Sequence, residues 1–311
     1  MRNLYSQKYN FLGKHISLSG KKIVNRNEQS AKLINKTLNL KSYGNFLDIG
    51  CGAGQFIEAF SQIKKKWDIY AHDLTDLNKK YVLKNNVKKF FIGDIDKIKI
   101  KFDLISMNHV VEHLTDPVKT LKEVNNLLNE NGSLILRLPN IDKVHTDLTI
   151  QDHCSHFHFQ TLSNLLKLTS FKIIKSLNNV NPIELFVIAK KSSNIQKIKK
   201  RKLNKKNLKN LFWPDKICKK INSDPSKKIG IFGVGTASFY YYAKMKNKVS
   251  FFVDEDPLKI NKKYYDKMIY GIKNIPLGSN IYIGIHNYNF ANKIKKRVSK
   301  INRKVNFLVP D

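Results

Sequence analysis

The sequence predicts an α/β protein made of two units, each a mostly parallel sheet covered by helices. Three observations carry this. From Asn45 onward, short apolar runs alternate with segments whose apolar residues recur every three or four positions. The first run enters its helix through a turn with glycines at 50, 52 and 54. The same alternation restarts at Lys228, after a lysine-rich stretch. A chain of 311 residues, at roughly 100 to 200 per domain, also suits two domains.

Residues 1–43 are polar with scattered aromatics and form an N-terminal helical or lid segment, its helix expected from Asn27 to Leu40. Strands are expected at 45–49, 67–72, 89–92, 102–107 and 133–138, with helices at 55–63 and 117–128 between them. After Pro139 comes a histidine-rich loop, a helix at 161–169, and closing strands at 171–177 and 184–189, so the first α/β domain spans 44–190. Residues 191–220 hold 12 Lys or Arg against the single acid Asp215, and 191–225 reads as a basic linker. The second domain, 226–311, is expected to have strands at 229–232, 248–253, 280–286 and 305–309, with helices at 237–244 and 291–301.

Composition excludes several classes. No apolar run approaches the roughly 20 residues of a membrane span, and residues 1–12 lack a secretory signal, so a cytoplasmic protein is expected. Cys51, Cys154 and Cys218 are far apart with no C-x-x-C pair, which argues against a disulfide framework or a cysteine zinc module. Lys plus Arg is 57 against 24 acids, a net charge of +33. Only six of those cations are Arg, the better residue for bidentate phosphate and base contacts, and Lys, Asn and Ile are all abundant, as an AT-rich coding sequence would supply.

The segment Leu47-Asp48-Ile49-Gly50-Cys51-Gly52-Ala53-Gly54-Gln55 lies where a strand turns into a helix. A nicotinamide fingerprint reads G-x-G-x-x-G and offers a helix N-terminus to a pyrophosphate. Here the spacing is G-x-G-x-G behind an acid, which repels phosphate and suits a cation such as S-adenosylmethionine, with its ammonium and sulfonium. The next strand ends at Asp73, placed for ribose hydroxyls, and a third at Gly93-Asp94-Ile95, placed for the adenine amino group.

This ladder of strand-end acids closely resembles the class I S-adenosylmethionine-dependent methyltransferases, over about residues 40–190. The resemblance implies a Rossmann-like seven-stranded sheet whose last strand is antiparallel, with S-adenosylmethionine across the C-terminal strand ends. By position it places Asp48, Gly50, Cys51, Gly52, Gly54 and Gln55 at the methionine end, Asp73 and Leu74 at the ribose, and Asp94 and Ile95 at the adenine. Asn108 and His109, in the segment 106–114, match the family's fourth strand and the loop after it. That loop reads Asn-His-Val-Val rather than the N/D-P-P-Y of amine-directed nucleic acid enzymes, and no cysteine follows a proline, so a nucleic acid partner is not expected.

Three of the nine histidines fall in Asp152-His153-Cys154-Ser155-His156-Phe157-His158-Phe159. Imidazole titrates near neutrality, so a base here is plausible, while packing or capping of the loop by His156 and His158 is the structural alternative. No metal is expected, because no carboxylate cluster or cysteine pair accompanies these histidines. The loop and the following helix resemble the sugar C-methyltransferases that act on nucleotide-linked keto sugars. That resemblance makes His153 the base, Asp152 its orienting acid and His156 a further catalytic candidate.

The C-terminal segments Lys228 to Ser238 and Phe251 to Lys259, with Ile275-Pro276, resemble that family's second Rossmann-like domain. Gly233, Gly235 and Thr236 are then candidates for holding a nucleotide diphosphate, and Tyr9 for folding over the cleft. The cysteine-rich zinc domain with which that family begins has no counterpart in these 311 residues. An O- or N-methyltransferase acting on a saccharide or other small molecule is the alternative.

Overall fold

The computed structural model describes residues 16–19, 22–144, 147–148, 150, 152–178, 181, 183–193, 213–285 and 288–309. They fall in two compact units, one within Met1–Asn140 and Asp152–Arg201, the other within Ile141–Gln151 and Lys202–Asp311. Tyr9 lies outside the described residues, as does 194–212 of the expected linker.

The first unit opens with a hairpin, β1 (Ile16–Ser19) and β2 (Lys22–Asn25), that the sequence reading did not anticipate. Then come helix α1 (Arg26–Leu38), β3 (Gly44–Ile49), α2 (Gln55–Ile63), β4 (Trp67–Asp73), the short α3 (Lys79–Val82), β5 (Val87–Ile92) and β6 (Phe102–Asn108). Helix α4 (Pro117–Leu127), β7 (Leu128–Pro139), α5 (Phe159–Leu168), β8 (Phe171–Ser176) and β9 (Glu184–Lys191) complete it. The main sheet has seven strands in the order β5-β4-β3-β6-β7-β9-β8. It is parallel except that β9, the last strand of this unit, runs antiparallel to both β7 and β8.

Central strands read as continuous apolar runs because helices cover both faces. Phe46 of β3 is fully buried, its ring 4.3 Å from Phe60 of α2. Truncating such a side chain to Ala costs about 3–5 kcal/mol. The cap of α1 is Asn25, whose side chain accepts from Asn27 N at 3.0 Å, and the helix ends at Asn39 in the left-handed region. Ala31 and Ile34 of α1 are fully buried against the same core as Phe46 and Phe56. Helix α1 thus packs one face, with Ala31 and Ile34, into the first unit's core. Apolar spacing along one face of α1 explains this; the polarity of the flanking sequence concealed it.

In the second unit, α6 (Trp213–Ser223), β10 (Ile229–Phe232), α7 (Thr236–Met245), β11 (Val249–Val253), β12 (Lys263–Tyr264), β13 (Lys267–Tyr270), β14 (Asn280–Ile283), α8 (Tyr288–Ile301) and β15 (Asn306–Leu308) follow in order. The sheet order is β12-β13-β11-β10-β14-β15. Ile217, Cys218 and Ile221 of α6 are buried with Ile229, Tyr241 and Phe252, so the far end of the expected linker is a core helix. Its lysines take the opposite side, which is why charge counting alone read it as solvated.

Candidate active site

Register delivers the site residues to one edge. Ile49 of β3 pairs with His72 of β4 and Met107 of β6, so the strands bearing Asp48, Asp73 and Asn108 end together. There they border a cleft of about 910 Å³, whose lining includes Gly50, Gly52, His72, Asp73, Leu74, Asp94, Ile95, His109 and His113. Five carboxylates line it (Asp73, Asp94, Asp96, Asp116 and Glu123) against one lysine, Lys119. In a chain with net charge +33, this cleft is a local inversion of sign suited to a cationic ligand.

The glycine turn is shaped by two contacts. Gly50 has φ +66, and a Cβ there would stand 2.5 Å from Val110 Cγ2. Gly52 has φ +51, and a Cβ there would meet nothing within 4 Å. The turn is thus packed from behind at Gly50 and open at Gly52 beside the cleft. Asp73 ties it down: Oδ2 accepts from Gly52 N at 3.0 Å and Oδ1 from Leu74 N at 2.7 Å. Asp94, with Ile95 beside it, is exposed at the end of β5. His72 bonds Gly93 O through Nε2 at 2.6 Å, and burial lowers its pKa, so it donates as neutral imidazole.

Asp48, Cys51, Gly54, Gln55 and Asn108 stand behind this wall and are not among its lining residues. Asp48 is buried, and its Oδ1 accepts from Ser106 Oγ at 2.5 Å and Asn108 Nδ2 at 3.3 Å. Burial outweighs those bonds and the pull of Arg137, raising its pKa to about 7. Cys51 is buried, which pushes its thiol pKa up. Gly54 starts α2 as its N-cap, with its N–H bonded to Cys51 O at 2.9 Å.

His109 is a residue whose partners the sequence reading missed. It sits at φ +54, its Nδ1 3.2 Å from Glu112 Oε1 and its Nε2 3.1 Å from Glu184 Oε1. Burial opposes its charge, but the two carboxylates outweigh it and raise the pKa to about 9, so both nitrogens donate as imidazolium. Burial raises the Glu184 pKa, but His109, Arg137 and Arg26 together bring it down to about 2. Arg137 is buried and donates from Nη2 to Asn27 Oδ1 at 2.9 Å, which locks α1 onto this ion cluster.

The loop after β7 is strapped to the short 3-10 turn Val111–His113. Ser155 N donates to Glu112 O at 3.1 Å, and His113 Nδ1 lies 3.1 Å from Asp152 O and 3.2 Å from Asp152 Oδ2. The carboxylate expected to orient His153 therefore faces His113. The His153 ring stands edge-on to His113, with centroids 4.6 Å apart, and His156 lies 6.3 Å from His153. Phe157 is buried in the core and anchors the loop. His158 caps α5, its Nδ1 accepting from Gln160 N and Thr161 N. Glu112 and His113 were visible in the Asn-His-Val-Val-Glu-His run, but only the loop's return shows what they meet.

In the second unit, Gly233 and Gly235 flank Val234, whose N–H donates to Asp254 Oδ2 at 2.8 Å. Lys259 Nζ reaches the same oxygen at 3.3 Å. The arrangement repeats the Gly52–Asp73 bond, a strand-end carboxylate on a glycine turn. Thr236 opens α7.

The family described as a methyltransferase domain matches residues 24–176. A tRNA U34 carboxymethyltransferase of Campylobacter fetus subsp. fetus (strain 82-40) is 27% identical over 153 residues, covering 40% of this chain and 54% of that protein. The match thus spans about half of that relative's length. Among solved structures, an S-adenosylmethionine-dependent methyltransferase from Clostridium acetobutylicum ATCC 824 aligns with TM-score 0.45 at 15% identity, over 54% of this chain and 92% of that one. The plantazolicin methyltransferase BpumL in complex with SAH aligns with TM-score 0.44 at 17% identity, over 54% and 82%. Among the described residues, no helix is long and apolar enough to cross a membrane. The acidic cleft, with its open glycine turn and strand-end carboxylates, fits a cationic adenosyl ligand: residues 24–176 form a methyltransferase domain, and S-adenosylmethionine is its cofactor.

Proposed function

We propose that the domain methylates a small-molecule acceptor, a nucleotide-linked keto sugar, at the carbon beside its ketone. The observation that carries this is the His113–Asp152 pair with His153 edge-on to it, an imidazole–carboxylate group beside the cofactor cleft. When bound, S-adenosylmethionine supplies a methyl group on a sulfonium, already a strong electrophile. The protein's work is alignment and removal of the acceptor's proton.

Asp73 and Asp94 hold the adenosyl part, and the turn at Gly50 and Gly52 admits the methionine part. A histidine of the 152–158 loop, His153 or His156, takes the proton from the acceptor carbon. That carbon then accepts the methyl group, with the sulfur keeping the bonding electron pair. Gly233, Gly235 and Thr236 of the second unit are proposed to bind a nucleotide diphosphate. Polyanions are disfavoured at the cleft by its five carboxylates.

Mass spectrometry of nucleotide sugars incubated with the full chain and isotope-labelled donor tests this. A keto sugar gaining one labelled methyl, and exchanging its α-proton with solvent deuterium before transfer, is the expected result. Labelled RNA or a hydroxyl-methylated saccharide in place of that product would replace the reading.

A further inference from the structure

Glu112, His113 and His153 come together where the 111–113 turn meets the loop after β7. One ligand-capable atom from each lies within 4.8 Å of the others. Glu112 is 1% exposed; its Oε1 is bonded to His109, and its Oε2 has no hydrogen-bond partner. An unsatisfied buried carboxylate oxygen is costly, and a bound cation is a standard remedy. Asp152, on His113 Nδ1, provides what metal-binding histidines commonly have: a carboxylate on one ring nitrogen that fixes the tautomer presenting the other nitrogen's lone pair.

We propose that Glu112, His113 through Nε2, and His153 bind one divalent transition-metal ion, with Asp152 as the outer partner of His113. Two imidazoles and one carboxylate suit zinc and its first-row neighbours; magnesium and calcium prefer all-oxygen sets. Metal–ligand distances of about 2.0–2.2 Å put tetrahedral ligand atoms about 3.3 Å apart, so the three side chains draw together by small rotations on binding. Three protein ligands leave a position open for a substrate oxygen. The inference deepens the proposed function and rests on it for the ion's role. The ion takes the acceptor's carbonyl oxygen and stabilises the negative charge that develops there, His153 serves as ligand, and His156 is left to take the proton.

The test uses the full chain, stripped with a chelator and titrated with Co²⁺ and Zn²⁺. Expected are visible d–d absorption bands from one bound Co²⁺ per chain, displaced by Zn²⁺. Zinc affinity, measured by calorimetry, should fall at least 100-fold in H153A and E112Q and about 10- to 100-fold in D152N, with H156A unchanged. Circular dichroism identifies any variant that fails to fold, and the half-buried His153 gives the cleaner substitution. Absence of the bands, or equal zinc affinity in wild type and folded H153A, overturns the site. Metal binding without any sugar methylation sinks the acceptor reading alone. Undiminished methylation by the stripped chain removes the ion's proposed role while leaving the acceptor reading in place.

Discussion

Glu184, the first residue of β9, lies 3.1 Å from His109 Nε2, a partner 75 positions earlier in the chain. The antiparallel register makes this possible: Pro139 pairs with Glu184 while Arg137, two residues back, pairs with Asn108. One carboxylate thus meets His109, Arg26 and Arg137, joining the loop after β6, helix α1, β7 and β9.

Replacing Glu184 by Gln leaves three cations facing a neutral amide. Breaking a buried ion cluster in this way costs about 3–5 kcal/mol, so E184Q is expected to lower stability by that order in chemical denaturation at pH 7. The pH dependence has a definite sign. Glu184 has a folded pKa of about 2, below its ordinary value of 4.5, so its contribution is present above pH 4.5 and is lost as pH falls toward 2. The difference in stability between wild type and E184Q should shrink across that window. A constant difference from pH 5 to 2.5 would show that the cluster does not hold the charge on Glu184.

Asp48 behaves oppositely. Its folded pKa of about 7 is raised above 3.8, so the folded state retains a proton there that the unfolded state has lost. Stability should therefore fall as pH rises from 4 to 7, and D48N should flatten that slope. A cationic ligand near the turn favours the ionised form, so S-adenosylhomocysteine and S-adenosylmethionine, which share the ammonium, should bind more tightly as pH rises toward 7. Affinity in D48N should respond less. Calorimetry at pH 5.5, 6.5 and 7.5 checks both; a pH-independent wild-type affinity contradicts the assignment.

The glycine turn separates folding from binding. In G50A the new methyl would meet Val110 at 2.5 Å in a left-handed backbone, and about 2 kcal/mol of stability should be lost. In G52A the methyl meets no protein atom, so only the backbone penalty, about 1 kcal/mol, applies. Cofactor affinity should nonetheless fall at least tenfold in G52A, read by calorimetry on protein whose thermal unfolding midpoint is close to wild type. Equal loss of stability in both variants would mean the Gly52 side is not open.

The sequence by itself determined the alternation of strands and helices, the glycine turn and the strand-end acids. These depend on local periodicity and on backbone conformations that few residues tolerate. Gln55–Ile63 and Ile229–Phe232 have the boundaries that their apolar spacing predicts. Pairings between distant segments were left to the tertiary structure. The carboxylate of Glu184 beside His109 follows from strand register, which sets neighbours by where chains lie side by side. So does the return of Asp152 and His153 onto Glu112 and His113. Glu112 stands 41 positions before His153, and only the folded chain brings the two together.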